Sequence, residues 1–323
     1  MNKKIGYGIV LVLACTAPLV LYPIFLMKIL CFALFACAFN LLIGYTGLLS
    51  FGHAAFFGGA GYAAGYALKV WGLPMELGLL FGVLVAAATG LLMGALAIRR
   101  QGIYFTMITL ALAQMFYFFY LQAPFTGGED GLQGVPRGSL LGLVGLGNDL
   151  ILYYVVLAIS IGGFALIVRI IHSPFGQVLR AIKENEPRAI SLGYDVDRYK
   201  LLAFVLSAGL AGLAGATKTM VLGFETLNNV HWSMSGLVIL MTLLGGMGTI
   251  VGPIVGAIII IALENKLGSL GYFLSSVTGI EWFQTLGDSV TIVTGLIFII
   301  CVLAFRRGIV GEILARFGRF PAS

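Results

Sequence analysis

GLVILMTLLGGMGTIVGPIVGAIIIIAL, residues Gly236–Leu263, carries no charged side chain and shows no alternation of apolar and polar positions. Inside a bilayer a chain must satisfy its own backbone donors and acceptors, and a continuous apolar run does so as helix. An alternating barrel strand would look different. The run is also broken, by Gly245-Gly246-Met247-Gly248 and then Gly252-Pro253. Such a break fits two short segments that enter and leave from the same side, because irregular backbone is tolerated at membrane depth where protein buries it or it lines a cavity. The plainer alternative is one kinked span, with another weak span in Gly271–Phe283.

The rest of the chain repeats this pattern. Further apolar runs are Ile5–Tyr22, Ile24–Ile43, Phe51–Leu68, Leu77–Ile98, Ile103–Leu121, Leu150–Ile171, Leu201–Leu222 and Ser289–Phe305. The 323 residues are 60% hydrophobic and 10% charged, with mean hydropathy +1.04. Soluble domains carry about 25% charged residues. The expected fold is all-α: one polytopic transmembrane bundle over residues 1–323, of about eight to ten spans with discontinuous or re-entrant segments. Small residues recur every fourth position, as in Gly82, Ala86, Gly90 and Gly94, in Ser207, Ala211 and Gly215, and in Gly248, Gly252 and Gly256. That spacing lines one helix face and lets neighbours approach closely.

The net charge of +6 sits in short loops at span ends, where it sets orientation, and there is no aromatic-basic pattern suited to nucleic acid. Lys3 and Lys4, Arg99 and Arg100, the stretch 173–200 and the short basic tail 306–323 are expected on the cytoplasmic side, with both termini. The loop 123–149, acidic at Glu129, Asp130 and Asp149, is expected outside. Single crossings by the first seven runs place every loop as expected. A single crossing by Gly236–Leu263 would leave the tail outside, which favours the broken reading. The apolar run behind Lys3 and Lys4 lacks a convincing cleavage site, so it reads as a retained span. Cys15, Cys31, Cys37 and Cys301 lie in apolar runs without CxxC spacing and read as packing residues.

No catalytic, metal or cofactor site is expected. HExxH, GxSxG and GxxxxGK[ST] are absent, and His53, His172 and His231 are isolated in sequence. Ion-coupled carriers place ionisable groups inside the membrane. Here the spans read as almost bare, with Glu264 at a run's end, Lys218 near the outer end of its span, and Asn40 and Gln114 polar but uncharged. No buried charge pair is expected in the spans. Energy must then arrive through the polar stretch SPFGQVLRAIKENEPRAISLGYDVDRYK, Ser173–Lys200. Pro187 suits the first turn of a helix and Gly193 a left-handed terminus, predicting a short helix over Pro187–Leu192. Ala189, Ile190 and Leu192 would fit a partner's groove, rimmed by Glu184, Glu186 and Arg188. An ordinary solvated loop is the alternative.

ENEPRAISLG (Glu184–Gly193) resembles the cytoplasmic coupling loop of ABC importer permeases. NLLIGYTGLLSFGHAAFFGGAGY (Asn40–Tyr62), GIYFTMITLALAQM (Gly102–Met115), TGGEDGL (Thr126–Leu132) and LLGGMGTIVGPIVGA (Leu243–Ala257) resemble stretches of the branched-chain amino acid permease family, LivM-type subunit, in the expected order. The resemblance implies a bacterial inner-membrane permease. Its expected partners are a homologous second permease, two ATP-binding subunits and a periplasmic solute-binding protein. Related permeases carry urea or short-chain amides, and a stand-alone channel or carrier is the alternative from another class. The expected ATPase-coupling residues are Glu184, Glu186, Pro187, Arg188, Ala189 and Gly193. The expected path residues are Asn40, Gly52, His53, Gln114, Gly245, Gly246 and Gly248, although both glycine sites also read as packing turns. Glu129 and Asp130 are the expected contacts to a binding protein.

Overall fold

A computed structural model describes residues 13–278 apart from 20, 141 and 143, together with 295–296, 299 and 308–316. Lys3, Lys4, Cys301, the first part of the run Ile5–Tyr22 and most of Ser289–Phe305 lie outside the described residues.

The apolar runs fold as helices, with ends where the local chemistry sets them. Helix α1 is Pro23–Thr46, with Pro23 in its first turn and Gly47 closing it at φ 76°. Then come α2 (His53–Lys69), α3 (Met75–Ala97), α4 (Ile103–Gln122) and α5 (Asp149–His172), the last capped by the Asn148 side chain. Two loop helices follow, α6 (Pro174–Glu184) and α7 (Glu186–Ser191). Helix α8 is Val196–Leu222, ended by Gly223 at φ 75°. The last are α9 (Trp232–Gly245), α10 (Gly252–Thr278) and α11 (Ile309–Arg316). Among the described residues, α1, α3, α4, α5 and α8 are long and apolar enough to cross a bilayer.

Burial sorts these helices. The most apolar 18-residue window is 83% buried in α1 and 72% in α8, against 33%, 22% and 33% in α3, α4 and α5. Helices α1 and α8 therefore form the core, and the others turn one face outward. Glycine makes the close contacts possible. A Cβ on Gly90 of α3 would meet the Ala208 methyl, and one on Gly215 of α8 would overlap the Phe57 backbone of α2. The four-residue ladders thus seat α8 between α2 and α3. Aromatic rings fill the remaining space: Phe35 stacks on Phe57 at 4.3 Å, and Phe204 meets Phe56 edge-on at 5.4 Å.

The run Gly236–Leu263 is broken where expected. Helix α9 stops at Gly245, Gly246 and Gly248 take φ values of 123° and 76°, and α10 starts at Gly252. A Cβ on Gly256 would strike the Met241 carbonyl and one on Gly245 the Gly252 carbonyl. Those pairings make α9 and α10 an antiparallel hairpin that turns back on itself. It departs from two short segments in one respect. The first arm has 14 residues and the second 27, enough for about 40 Å of helix.

Beyond the end of α8, strands Leu132–Gln133 and Phe224–Glu225 pair antiparallel. This ribbon ties the 123–149 loop to the α8–α9 connection. It marks one end of the bundle, the ribbon end; α6 and α7 mark the other, the loop end.

Candidate functional site

The polar stretch is a folded unit. Ser173, Asn185 and Asp195 each accept a backbone N–H at the start of α6, α7 and α8, from Gly176, Arg188 and Arg198. These are the residue types that best cap helix starts. Helix α7 begins one residue earlier than predicted and ends at Ser191. Gly193 sits at φ 87°, its N–H reaches Ile190 O and Tyr194 N–H reaches Ala189 O, a Schellman closure. Ile182, Ala189 and Val196 are buried together as a miniature core. Ala189 therefore faces inward, which corrects its expected place in a partner's groove. Ile190, Leu192 and Tyr194 are the apolar side chains left exposed, at 57%, 69% and 40%. Glu184, Pro187 and Arg188 are exposed as well.

Glu186 is engaged within the protein. Its carboxylate accepts from Lys200 Nζ at 2.7 Å and from Gln101 at 2.8 Å, joining α7 to α8 and to the α3–α4 turn. Lys200 is 3% exposed, so this pair is shielded on one side. On α6, Lys183 donates to Gly44 O at 2.8 Å, an end carbonyl of α1. Desolvation lowers the Lys183 ammonium below the usual lysine range, and neighbouring Glu184 opposes this.

Gly44 leads directly to the two broken segments. A Cβ on Gly44 would lie 3.0 Å from the Gly248 Cα. Asn40, one turn back on α1, clamps that break: it donates to Thr249 O at 2.8 Å and accepts from Gly248 N at 2.9 Å. Thr249 in turn accepts from Gly252 N at 3.0 Å. The second irregular segment, Gly47–Gly52, joins α1 to α2. Phe51 N donates to Thr109 of α4 at 3.2 Å; Ala54 N donates to Ser235 of α9 at 2.8 Å, and Ser235 donates to Phe51 O at 2.7 Å. Buried backbone freed from a helix needs such partners. His53 starts α2, fully buried against Phe39, Phe56 and Phe204. Ser207 donates to Ala38 O, so His53 Nε2, 2.9 Å from that hydroxyl, is the donor to it.

The expected path residues thus fall into clear positions. Gly245, Gly246 and Gly248 form one break and Gly52 with His53 the edge of the other. Asn40 secures the first break. Gln114 is half-buried on α4 and takes part in neither clamp. Gly248 and Met247 are exposed, while Gly52 and His53 are buried. Glu129 and Asp130 are exposed in the turn leading into the ribbon.

Two buried ionisable groups lie at the ribbon end, one near the end of a span and one outside every span. Lys218 of α8 is 5% exposed and Glu225 in the ribbon 0%. Glu225 accepts from Asn229 at 2.6 Å and from Thr219, and it interacts electrostatically with Lys218. Burial pushes the Glu225 carboxyl above the usual carboxylate range, opposed by Lys218 and these hydrogen bonds. Glu225 lies outside every apolar run, so hydropathy gave no sign of its burial.

Two stitched breaks beside the core helices, reached by a self-supporting polar loop, define a polytopic helical membrane protein of the permease class. The chain belongs to the family described as branched-chain amino acid transport system / permease component, which it matches over residues 22–302. It is 29% identical to the high-affinity branched-chain amino acid transport system permease protein LivM of Escherichia coli K12 over 251 residues, 71% of this chain and 59% of that one. The Salmonella typhimurium protein of the same description is 28% identical with the same coverage. The autoinducer 2 import system permease protein LsrC of Klebsiella pneumoniae is 29% identical over 192 residues, 58% of this chain and 53% of that one. The matched region thus spans about three fifths of the LivM relatives' length.

Proposed function

We propose that this chain is the membrane-spanning subunit of an ABC importer for branched-chain amino acids in a bacterial inner membrane. In this reading it pairs with a homologous second permease and binds two ATP-binding subunits at the loop end. A periplasmic solute-binding protein docks at the ribbon end, near Glu129 and Asp130. Both termini and the loop end face the cytoplasm. Family membership and the LivM relatives' descriptions support the solute class.

The observation that carries the coupling role is the build of the polar loop. Helices α6 and α7 have their own small core, and Ile190, Leu192 and Tyr194 point outward with Arg188 and Glu184 nearby. An idle solvated loop has no use for exposed apolar side chains on a rigid turn. Force applied there reaches α8 through Glu186–Lys200 and α1 through Lys183–Gly44. The chain then needs no coupling ion.

The test is reconstitution. The complete complex in liposomes is expected to accumulate leucine only with ATP and the binding protein. Full leucine flux from this chain alone would refute the importer reading in favour of a channel or carrier. Uptake of urea or acetamide with no leucine uptake would move the solute class to amides.

A further inference from the structure

The ribbon end holds a buried hydroxyl without a hydrogen-bond partner among the described residues, and a lysine buried beside an aromatic ring. The Tyr62 hydroxyl of α2 is fully buried and unpaired. The Lys218 ammonium lies 5.3 Å from the centre of the Phe57 ring. Both interact electrostatically with one buried carboxylate, Glu225. That carboxylate is held against α2: a Cβ on Gly61 would lie 2.7 Å from Glu225 Oε2. Thr219 and Asn229 fix its orientation, yet a carboxylate has about four lone-pair positions and these two donors leave capacity unused.

Leaving a phenol unsatisfied in a protein interior is costly, and so is burying an ammonium there. Packing alone does not call for it, since Phe and Leu would fill the same space. Two donors and an acceptor converging from α2, α8 and the ribbon match a small molecule bearing both charges. We propose that Tyr62, Lys218 and Glu225 form a headgroup site for an α-amino acid, and that the ribbon is its lid. The solute carboxylate accepts from Lys218 Nζ and Tyr62 Oη, and its ammonium donates to Glu225. The site is closed here; Glu225 belongs to the lid itself, paired with Leu132 beyond the exposed Glu129 and Asp130. Displacing the ribbon moves Glu225 away from Lys218 and Tyr62 and opens the site. An amide such as urea carries neither charge and leaves both Lys218 and Glu225 unmatched.

This inference rests on the import reading, and the experiment separates the two. Wild type, Tyr62→Phe, Lys218→Gln and Lys218→Arg are compared as complete complexes in nanodiscs and liposomes, for assembly, basal ATPase activity and leucine uptake. Tyr62→Phe removes one oxygen and keeps the ring stacked on Tyr120, so it is the deciding variant. The expected result is a tenfold or larger rise in the leucine concentration for half-maximal uptake in Tyr62→Phe and Lys218→Gln. Assembly stays at the wild-type level, and Lys218→Arg stays within threefold of wild type. Leucine at millimolar concentration is also expected to raise the thermal stability of wild type but not of Tyr62→Phe, and leucinamide to raise neither. Leucine uptake by Tyr62→Phe within twofold of wild type overturns the headgroup site, as does equal stabilisation by leucinamide. Absence of leucine uptake by wild type overturns the import reading instead.

Discussion

Replacing Asn40 by alanine tests whether the break between α9 and α10 is held from outside itself. The Asn40 amide serves two backbone groups that the broken helix cannot satisfy, Gly248 N–H at 2.9 Å and Thr249 C=O at 2.8 Å. Thr249 is buried, so its carbonyl loses about 1–3 kcal/mol when left unpaired; Gly248 is more exposed and water replaces part of its bond, for about 0.5–1.5 kcal/mol. The expected loss is roughly 2–4 kcal/mol. Asn40→Asp separates the two contributions, because it keeps an acceptor for Gly248 N and sets a carboxylate oxygen against Thr249 O. It is expected to be at least as damaging as alanine. Unfolding in mixed dodecylmaltoside–SDS micelles, followed by thiol labelling of Cys31 and Cys37 (1% and 3% exposed), reads both values. A change below about 0.5 kcal/mol for Asn40→Ala, the range of ordinary surface substitutions, would refute the clamp.

Gly215→Ala, which drives a methyl into the Phe57 backbone, should cost about 1–3 kcal/mol in the same assay. Gly162→Ala on the open face of α5 should be neutral or stabilising by up to about 1 kcal/mol. A double-mutant cycle between Glu186→Gln and Lys200→Met should return a coupling of about 1–3 kcal/mol; a value near zero would show that α7 is not tied to α8 there. Gly193→Ala should cost about 1–2 kcal/mol of loop stability through its left-handed backbone. It should also lower leucine accumulated per ATP hydrolysed while ATPase subunits still bind, and unchanged stoichiometry would remove the α7 terminus from coupling.

Much of this architecture is written in runs and punctuation. Among the described residues, continuous apolar stretches form helices near their expected limits, because in lipid no other local solution satisfies the backbone. The glycines at 245, 246 and 248 located the hairpin break, and Pro187 with Gly193 framed α7. Three things escaped. Helix α6 hid within a charged stretch, since its apolar positions Leu179 and Ile182 are few and face inward. Ala189 was assigned to the wrong surface because a six-residue helix gives no periodicity to read. Glu225 was invisible because its burial depends on strand pairing with Leu132, distant in sequence.

Helix α8 links the polar loop, the start of α2 and the ribbon. Its 27 residues make a rod about 40 Å long. Lys200 anchors one end to α7, and Lys218 approaches the ribbon at the other. Near the middle, Ala208, Gly212 and Gly215 bear on α2 and α3 through methyl groups and bare backbone. Such a rod behaves as a see-saw on a smooth fulcrum. A tilt of about 5° carries each tip about 1.7 Å, in opposite directions. On the importer reading, when the loop tip swings inward the ribbon tip swings outward, so the two sides of the solute path do not widen together. Mutual exclusion of the two openings would then follow from leverage in one helix, without a separate latch at either face.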